Sequence, residues 1–177
     1  LRLRIMASGP AAPGAGRRAD IAQETSMPKP PRVDPVDAED EDWLELRQML
    51  WPDSSREDHA AEMARVAEDP FRFGQFVARG VDGARLGFAE VSLRTDYVNG
   101  TESSPVAFIE GLYVVPHARR QGVASALMAQ IVAWARARGC TELASDALLE
   151  NTGSHAMHAA LGFSETERVV FFRRLLD

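Results

Sequence analysis

Two features of this chain could do chemistry: a carboxylate inside an apolar run, and a basic, glycine-containing loop shortly after it. Glu110 stands in the middle of V-A-F-I-E-G-L-Y-V-V, Val106 to Val115. Read with the two-residue period of a strand, Val106, Phe108, Leu112 and Val114 fall on one face. Ala107, Ile109, Tyr113 and Val115 fall on the other. Both faces are apolar, which marks a central strand. An ionised carboxylate there costs on the order of several kcal/mol unless it is paired. A cationic substrate is one candidate partner. Pro116 cannot donate to a sheet and ends the strand, and helical periodicity begins at Gly122. The loop between them, R-R-Q-G-V-A from Arg119 to Ala124, suits a diphosphate. The unpaired N–H groups of a helix start favour an anion by about 0.3–1 kcal/mol per contact, and up to about 2 when partly buried. Gly122 and Ala124 leave room for close approach, and Arg119 and Arg120 add charge. Neither the P-loop nor the dinucleotide-binding glycine pattern is present. The plainer reading of the same residues is a solvated basic turn.

The elements needed to hold these groups can be read along the chain. Arg32 to Val36 reads as a short edge strand. Asp37 then caps a helix through Leu50, with Trp43, Leu46 and Leu50 on one face and the acids Glu39 to Asp42 near its positive end. A second helix spans Ser54 to Glu68, with His59 structural or solvated. Gln75 to Arg79 and Arg85 to Arg94 form a hairpin, followed by a polar loop from Asp96 to Pro105 that carries Tyr97. Such loops on rigid scaffolds often serve binding. The helix from Gly122 to Arg138 places Val123, Leu127, Ile131 and Trp134 on one stripe and ends at Gly139. Glu142 to Asp146 is the next strand, parallel to the central one. Asn151 to Leu161 is a short helix, and Val169 to Arg173 a last strand. The sum is a mixed, mainly antiparallel sheet flanked by helices, an α/β (α+β) domain. Ligands of such sheets bind beyond the carboxyl ends of parallel strands, which brings together Glu110, the loop after Val115, Asp146 and Asn151.

Composition narrows the function. The chain has 177 residues, 45% of them hydrophobic, enough for one domain with a substantial core. Residues 1–30, rich in Ala, Gly, Pro and Arg, read as a disordered extension or an added tail ahead of a natural start at Met27, and 31–177 as a single domain. A net charge of −6 argues against nucleic acid and anionic membranes as partners. The single Cys140 forms no internal disulfide and reads as a buried apolar residue. No Cys/His spacing suggests a metal, and His155 and His158 lack a third ligand. There is no apolar run of membrane-spanning length, nor a signal-peptide core, so a cytoplasmic location is expected.

With its strand in front, the loop resembles motif A of the GNAT N-acetyltransferase superfamily, Arg/Gln-x-x-Gly-x-Gly/Ala. Further stretches are similar to aminoglycoside 6'-N-acetyltransferases: Leu50-Trp51-Pro52, Asp96 to Gly100, Ser103 to Pro105, Ile109-Glu110-Gly111, Ala144-Ser145-Asp146, Glu150-Asn151-Thr152, Leu161-Gly162-Phe163 and Glu165 to Val169. The likeness spans Val36 to Arg174. It implies a GNAT-like sheet with a splayed parallel pair of central strands and about four helices, with acetyl-CoA as co-substrate. Leu112, Tyr113 and Val114 would bond the pantetheine arm. Arg119, Arg120, Gln121, Gly122, Val123, Ala124 and Ser125 would hold the diphosphate, and Asn151 would reach the arm from the far side. Trp51, Tyr97, Glu110, Asp146 and Glu167 are similar to antibiotic-contacting residues.

The chemistry of these residue types agrees. An aminoglycoside carries several ammonium groups and many hydroxyls, so its site needs carboxylates for charge and flat rings for sugar faces. The expected reaction is direct attack of the 6'-amine on the acetyl thioester in a ternary complex, with Glu110 as general base, directly or through a water. Where many GNAT enzymes have a Tyr that can protonate the leaving thiolate, this chain has His158. Two other readings stay open: another polyamine or a peptide amine as acceptor, or a non-catalytic acetyl-CoA sensor. A homodimer is expected, with Val169-Val170-Phe171-Phe172 pairing across a partner's edge.

Overall fold

The structure is a computed structural model that describes residues 30–176; the expected extension at the N-terminus lies almost wholly outside the described residues. In chain order it contains β1 (Arg32–Pro35), α1 (Glu41–Leu50), α2 (Arg56–Ala67), β2 (Phe73–Arg79), β3 (Arg85–Arg94), β4 (Val106–Val114), α3 (Val123–Arg136), β5 (Leu143–Ala144) and α4 (Thr152–Ala160). The strands form one sheet in the order β1-β2-β3-β4-β5. Every neighbouring pair is antiparallel except β4 and β5, which are parallel. This is the mixed, mainly antiparallel sheet with four helices that the sequence leads one to expect.

Three of the four described helices start where a short polar side chain takes an orphan N–H. Asp40 caps α1 by accepting from the Trp43 N–H at 2.9 Å. The expected cap, Asp37, instead accepts from the Glu39 N–H in the turn just before the helix, at 3.0 Å, which delays the first helical turn. Ser55 and Asp58 form a reciprocal capping box on α2. The inner faces of these helices bury Trp43, Leu46, Leu50 and Met63 against the sheet. On the opposite side α3 buries Val123, Leu127, Met128, Ile131 and Ala135. Trp134 is only partly buried at the edge of that stripe, packed where any side chain on Gly74 would collide with it at 2.7 Å. Arg138 stacks on its outer face, 3.9 Å from the ring centroid.

The central strand departs from simple alternation. Glu90 pairs with Gly111 and Val91 with Ile109, so Glu110 is an extra residue bulged between them. Past the bulge the faces exchange. Leu112, opposite Ala89, shares a face with Ile109, opposite Val91, and not with Phe108 as period-two reading has it. The α3 side therefore receives Ile109 and Leu112, while Phe108 and Val106 join Val98 and Ala144 in a separate small cluster.

Two other expectations are corrected. The strand expected from Glu142 to Asp146 contracts to Leu143–Ala144, because it pairs with β4 only at Ala107 and Phe108 and then turns away. The expected last strand, Val169 to Arg173, does not form: residues 163–176 have no helix or strand. Val170, Phe171 and Phe172 are 73%, 87% and 94% exposed. Among the described residues no strand pairs with them.

Candidate active site

The bulge is the local reason Glu110 can be functional. At the bulge the buried Glu110 side chain lies over polar side chains of β3. There Glu110 Oε1 accepts from the Ser92 hydroxyl at 2.5 Å and from Arg94 Nη2 at 2.8 Å. Both bonds go to one oxygen, which leaves Oε2 to receive a proton. Arg94 is fixed in turn by the Phe108 ring, its guanidinium carbon 3.5 Å from the centroid. Neither Ser92 nor Arg94 was singled out from the sequence. The signal was their alternate spacing on β3, readable only once β3 is registered against β4.

Asp146 follows the short β5 and stands at the open rim of the same place. Partial burial pushes its carboxyl above the ordinary range; Arg94 opposes this, Glu110 adds to it, and His158 opposes it. Glu110, Arg94, Asp146 and His158 thus share one electrostatic neighbourhood. Of the two expected flat rings, Tyr97 is 75% exposed on its loop. Trp51 is half-buried: its ring lies over Gly111, where an added Cβ would come within 2.7 Å of it, and it stacks with His59 and meets Phe88 edge-on. Its indole N–H is buried and unpartnered. The Tyr97 loop is tied down by Glu142, whose carboxylate accepts from the backbone N–H groups of Glu102 and Ser103 at 3.0 and 2.6 Å and from the Ser103 hydroxyl. These bonds hold the Glu142 carboxyl below its usual range. Glu167 lies exposed in the C-terminal segment, next to Thr166, which packs on Gly100 of the same loop.

On the other side of Glu110 the parallel pair parts. β5 leaves β4 after Phe108, so among the described residues no strand flanks Ile109 to Val114 on that edge. That stretch includes Leu112, Tyr113 and Val114. Beside the gap lies an apolar cleft between β4, α3 and α4, too narrow as it stands to admit a water, lined by Ile109, Leu112, Met128, Met157, His158 and Phe163 among others. His158 Nδ1 lies 2.8 Å from the Ser154 carbonyl, a bond that requires Nδ1–H, so Nε2 is the nitrogen left to act in the cleft. Asn151 caps α4, its Oδ1 accepting from the Ser154 N–H at 3.0 Å.

The loop beyond the cleft is shaped for an anion. Arg120, at φ 61°, and Gly122, at φ 82°, are both left-handed. They swing the chain so that α3 begins with no side-chain cap on its N–H groups. An added Cβ on Gly122 would meet nothing within 4 Å, so its backbone conformation, not crowding, is what requires glycine there. Gln121 Nε2 donates to the His117 carbonyl at 2.7 Å. Arg120 and Ser125 are exposed at the loop, while Val123 is buried and offers only its backbone N–H. Arg119 turns back: its Nε donates to the Val114 carbonyl at 3.0 Å, which braces the loop against the end of β4.

The acetyltransferase (GNAT) family model matches residues 41–163. The chain belongs to the GNAT acetyltransferase family. Its relatives within that family are narrow in kind. It is 58% identical over 134 residues, 76% of this chain and 91% of the relative, to the aminoglycoside N(6')-acetyltransferase type 1 of Serratia marcescens. It is 44% identical to the enzyme of the same name from Klebsiella aerogenes, over 85% of this chain and all of that one. Among solved structures it is similar to the aminoglycoside antibiotic 6'-N-acetyltransferase AAC(6')-Ih from Acinetobacter baumannii, with TM-score 0.79, 44% identity and coverage of 83% of this chain and 99% of that one. AAC(6')-Iy, solved with the bisubstrate analogue CoA-S-monomethyl-acetylneamine, matches with TM-score 0.77, 41% identity and coverage of 82% and 99%.

Proposed function

We propose that this acetyltransferase moves the acetyl group of acetyl-CoA to the 6'-amine of aminoglycosides, and so confers resistance to them. The observation that carries the reading is the adjacency of two unlike half-sites. The parted β4 edge and uncapped α3 loop suit an acyl-CoA, and the carboxylates Glu110 and Asp146 beside the Tyr97 loop suit a polycation. Relatives of the same name, similar over most of the chain, support it.

In this reading the diphosphate lies on the N–H groups of Gln121 to Ser125 with Arg120 beside it, and the pantetheine arm lies along Leu112, Tyr113 and Val114. A backbone N–H of that edge polarises the thioester carbonyl. Asp146, Glu167 and Glu110 receive ammonium groups, while the Tyr97 and Trp51 rings face sugar. Glu110 Oε2 takes the proton of the 6'-ammonium, the freed amine attacks the acetyl carbon, and the C–S bond breaks. His158 Nε2 is the group in reach of the leaving thiolate. The supply of acetyl-CoA puts the enzyme in the cytoplasm. The functional unit is a homodimer: the apolar Val169 to Phe172 segment of each copy adds to the open outer edge of the other's sheet beside β5, where two-fold symmetry satisfies both.

The test is thiol release from acetyl-CoA with aminoglycosides that have or lack a 6'-amine, alongside spermidine and a basic peptide. The expected result is turnover confined to 6'-amines. E110Q should lower kcat by about 10²–10⁴-fold, the usual reach of a positioned base, with acetyl-CoA affinity unchanged. Turnover with spermidine or the peptide alone would overturn the acceptor; cofactor binding with no turnover would make the protein a sensor.

A further inference from the structure

Beneath α2, on the sheet face that bears Glu110, lies a cavity of about 30 Å³ bordered by Glu62, Arg65, Gln75, Glu90 and Glu110 along with Val66 and the β2 and β3 backbones. Three adjacent strands bring its polar groups side by side: Gln75 pairs directly with Glu90, and Glu90 with Gly111 beside the bulged Glu110. The volume admits one water, which needs at least about 10–15 Å³ and two to four polar partners. One such partner is waiting. Gln75 is only 8% exposed, yet its Nε2 has no hydrogen-bond partner. A buried amide donor left unmade is costly, and a carboxylate-lined cavity is where a bridging water would satisfy it.

We propose that this cavity is a proton exit behind the base, in which a water held by Gln75 carries the proton from Glu110 out to Glu62 at the surface. The inference rests on Glu110 being the base. The stoichiometry requires that a proton leave, because an ammonium and a thioester become an amide, a thiol and one released proton. While acceptor and product occupy the front of Glu110, a rear path lets the acid formed there discharge before the next turnover. The Glu110 O–H gives its proton to the water as the water gives one of its own to the Glu62 carboxylate, and Glu62 releases it to solvent. Charges around the path are fixed by the packed elements. Arg47 of α1 binds Glu90 and, at 2.6 Å, Glu62; Arg65 of α2 lies 3.3 Å from Glu62; Trp43 donates to Glu90 at 2.7 Å; Arg94 holds the other side of Glu110. Glu90, locked between Arg47 and Trp43, is a wall of the path rather than a carrier. Gln75 touches no substrate and is a positioning residue.

The experiment compares steady-state kcat with the single-turnover rate in wild type, E110Q, Q75M and E62Q, with KM for both substrates, the pH profile and the solvent deuterium isotope effect. Q75M preserves volume without the donor, and E62Q, at the partly exposed mouth, still offers Arg47 an acceptor. Both are expected to lower steady-state kcat by about tenfold, a small part of the proton-transfer contribution of a base, while the single-turnover rate is kept. kcat/KM should stay unchanged and the isotope effect on kcat should rise. A purely structural Gln75 would move only the melting temperature. If E110Q loses activity while Q75M and E62Q keep wild-type rates and isotope effects, the exit is overturned and the base stands. If E110Q keeps its rate, both fall.

Discussion

In the proposed site, the surroundings of Asp146 would set the working pH. Burial raises its carboxyl pKa, and the neighbouring Glu110 raises it further against the pull of Arg94 and His158. A carboxylate captures an ammonium only when ionised. With its pKa raised, Asp146 is ionised above that value and loses its charge as pH falls through it, earlier than an ordinary Asp would. kcat/KM for the aminoglycoside should therefore fall on the acid side at a pH above the usual carboxylate range. D146N should remove that limb and raise KM by about 10- to 100-fold, matching the loss of a charged hydrogen bond worth about 1.5–3 kcal/mol. The same sign governs stability. Ionised Asp146 is a cost to the fold, so D146N should melt no lower than wild type at neutral pH. A variant that both binds worse and melts lower would show Asp146 to be structural.

At the scale of elements, legibility follows how local the determinant is. β4 and the loop after it were readable because an apolar run, a proline and a glycine are signals within one stretch of chain. The bulge at Glu110 was not, because it is a relation of register between β3 and β4, and it moved Leu112 to the opposite face. Ser92 and Arg94 were missed with it. The cap on α1 slipped from Asp37 to Asp40 because both can accept an N–H and only the preceding turn decides between them. His59 carries another consequence of packing. Its Nε2 lies 3.1 Å from the Trp51 carbonyl and its Nδ1 takes the Arg47 Nε–H, so α2 is joined to α1 through a buried neutral ring. Burial lowers its pKa below 6.5, opposed by the Trp51 carbonyl and assisted by Arg47. The unfolded chain then binds this proton more readily than the folded one. Stability should be full above about pH 6.5 and fall as pH drops below it, by about 1.4 kcal/mol per pH unit at most for one proton. Denaturant melts between about pH 5 and pH 7 should show that slope, and H59Q, which keeps a donor and an acceptor, should flatten it. A slope unchanged in H59Q would assign it to other groups.

At the scale of the whole molecule, the unexplained surface is the C-terminal segment. A copy in isolation exposes Val170, Phe171, Phe172, Leu175 and Leu176 almost fully. Burying one such aliphatic or aromatic side chain is worth about 1.5–3 kcal/mol, so the segment is a strong drive to association. The alternation there reads as a strand, but no strand forms in one copy, because strand pairing needs an edge that the pattern itself does not name. β5 is the last strand of the sheet, and in the proposed dimer an exposed segment of β-branched and aromatic residues would complete that edge in a reciprocal pair. Light scattering at assay concentration should give the mass of two chains. F171D with F172D places two charges inside that contact and should give monomers at the same concentration, with the residues of α1 to α4 still protected from hydrogen exchange. Activity distinguishes a passive contact from a functional one. Glu167 lies in the same segment, and Thr166 rests on the loop that carries Tyr97. Loss of pairing should therefore raise KM for the aminoglycoside more than KM for acetyl-CoA, whose loop and cleft are built from β4, α3 and α4. Equal losses for both substrates would mean that dissociation loosens the whole domain, and a monomeric wild type would assign the apolar segment to another partner.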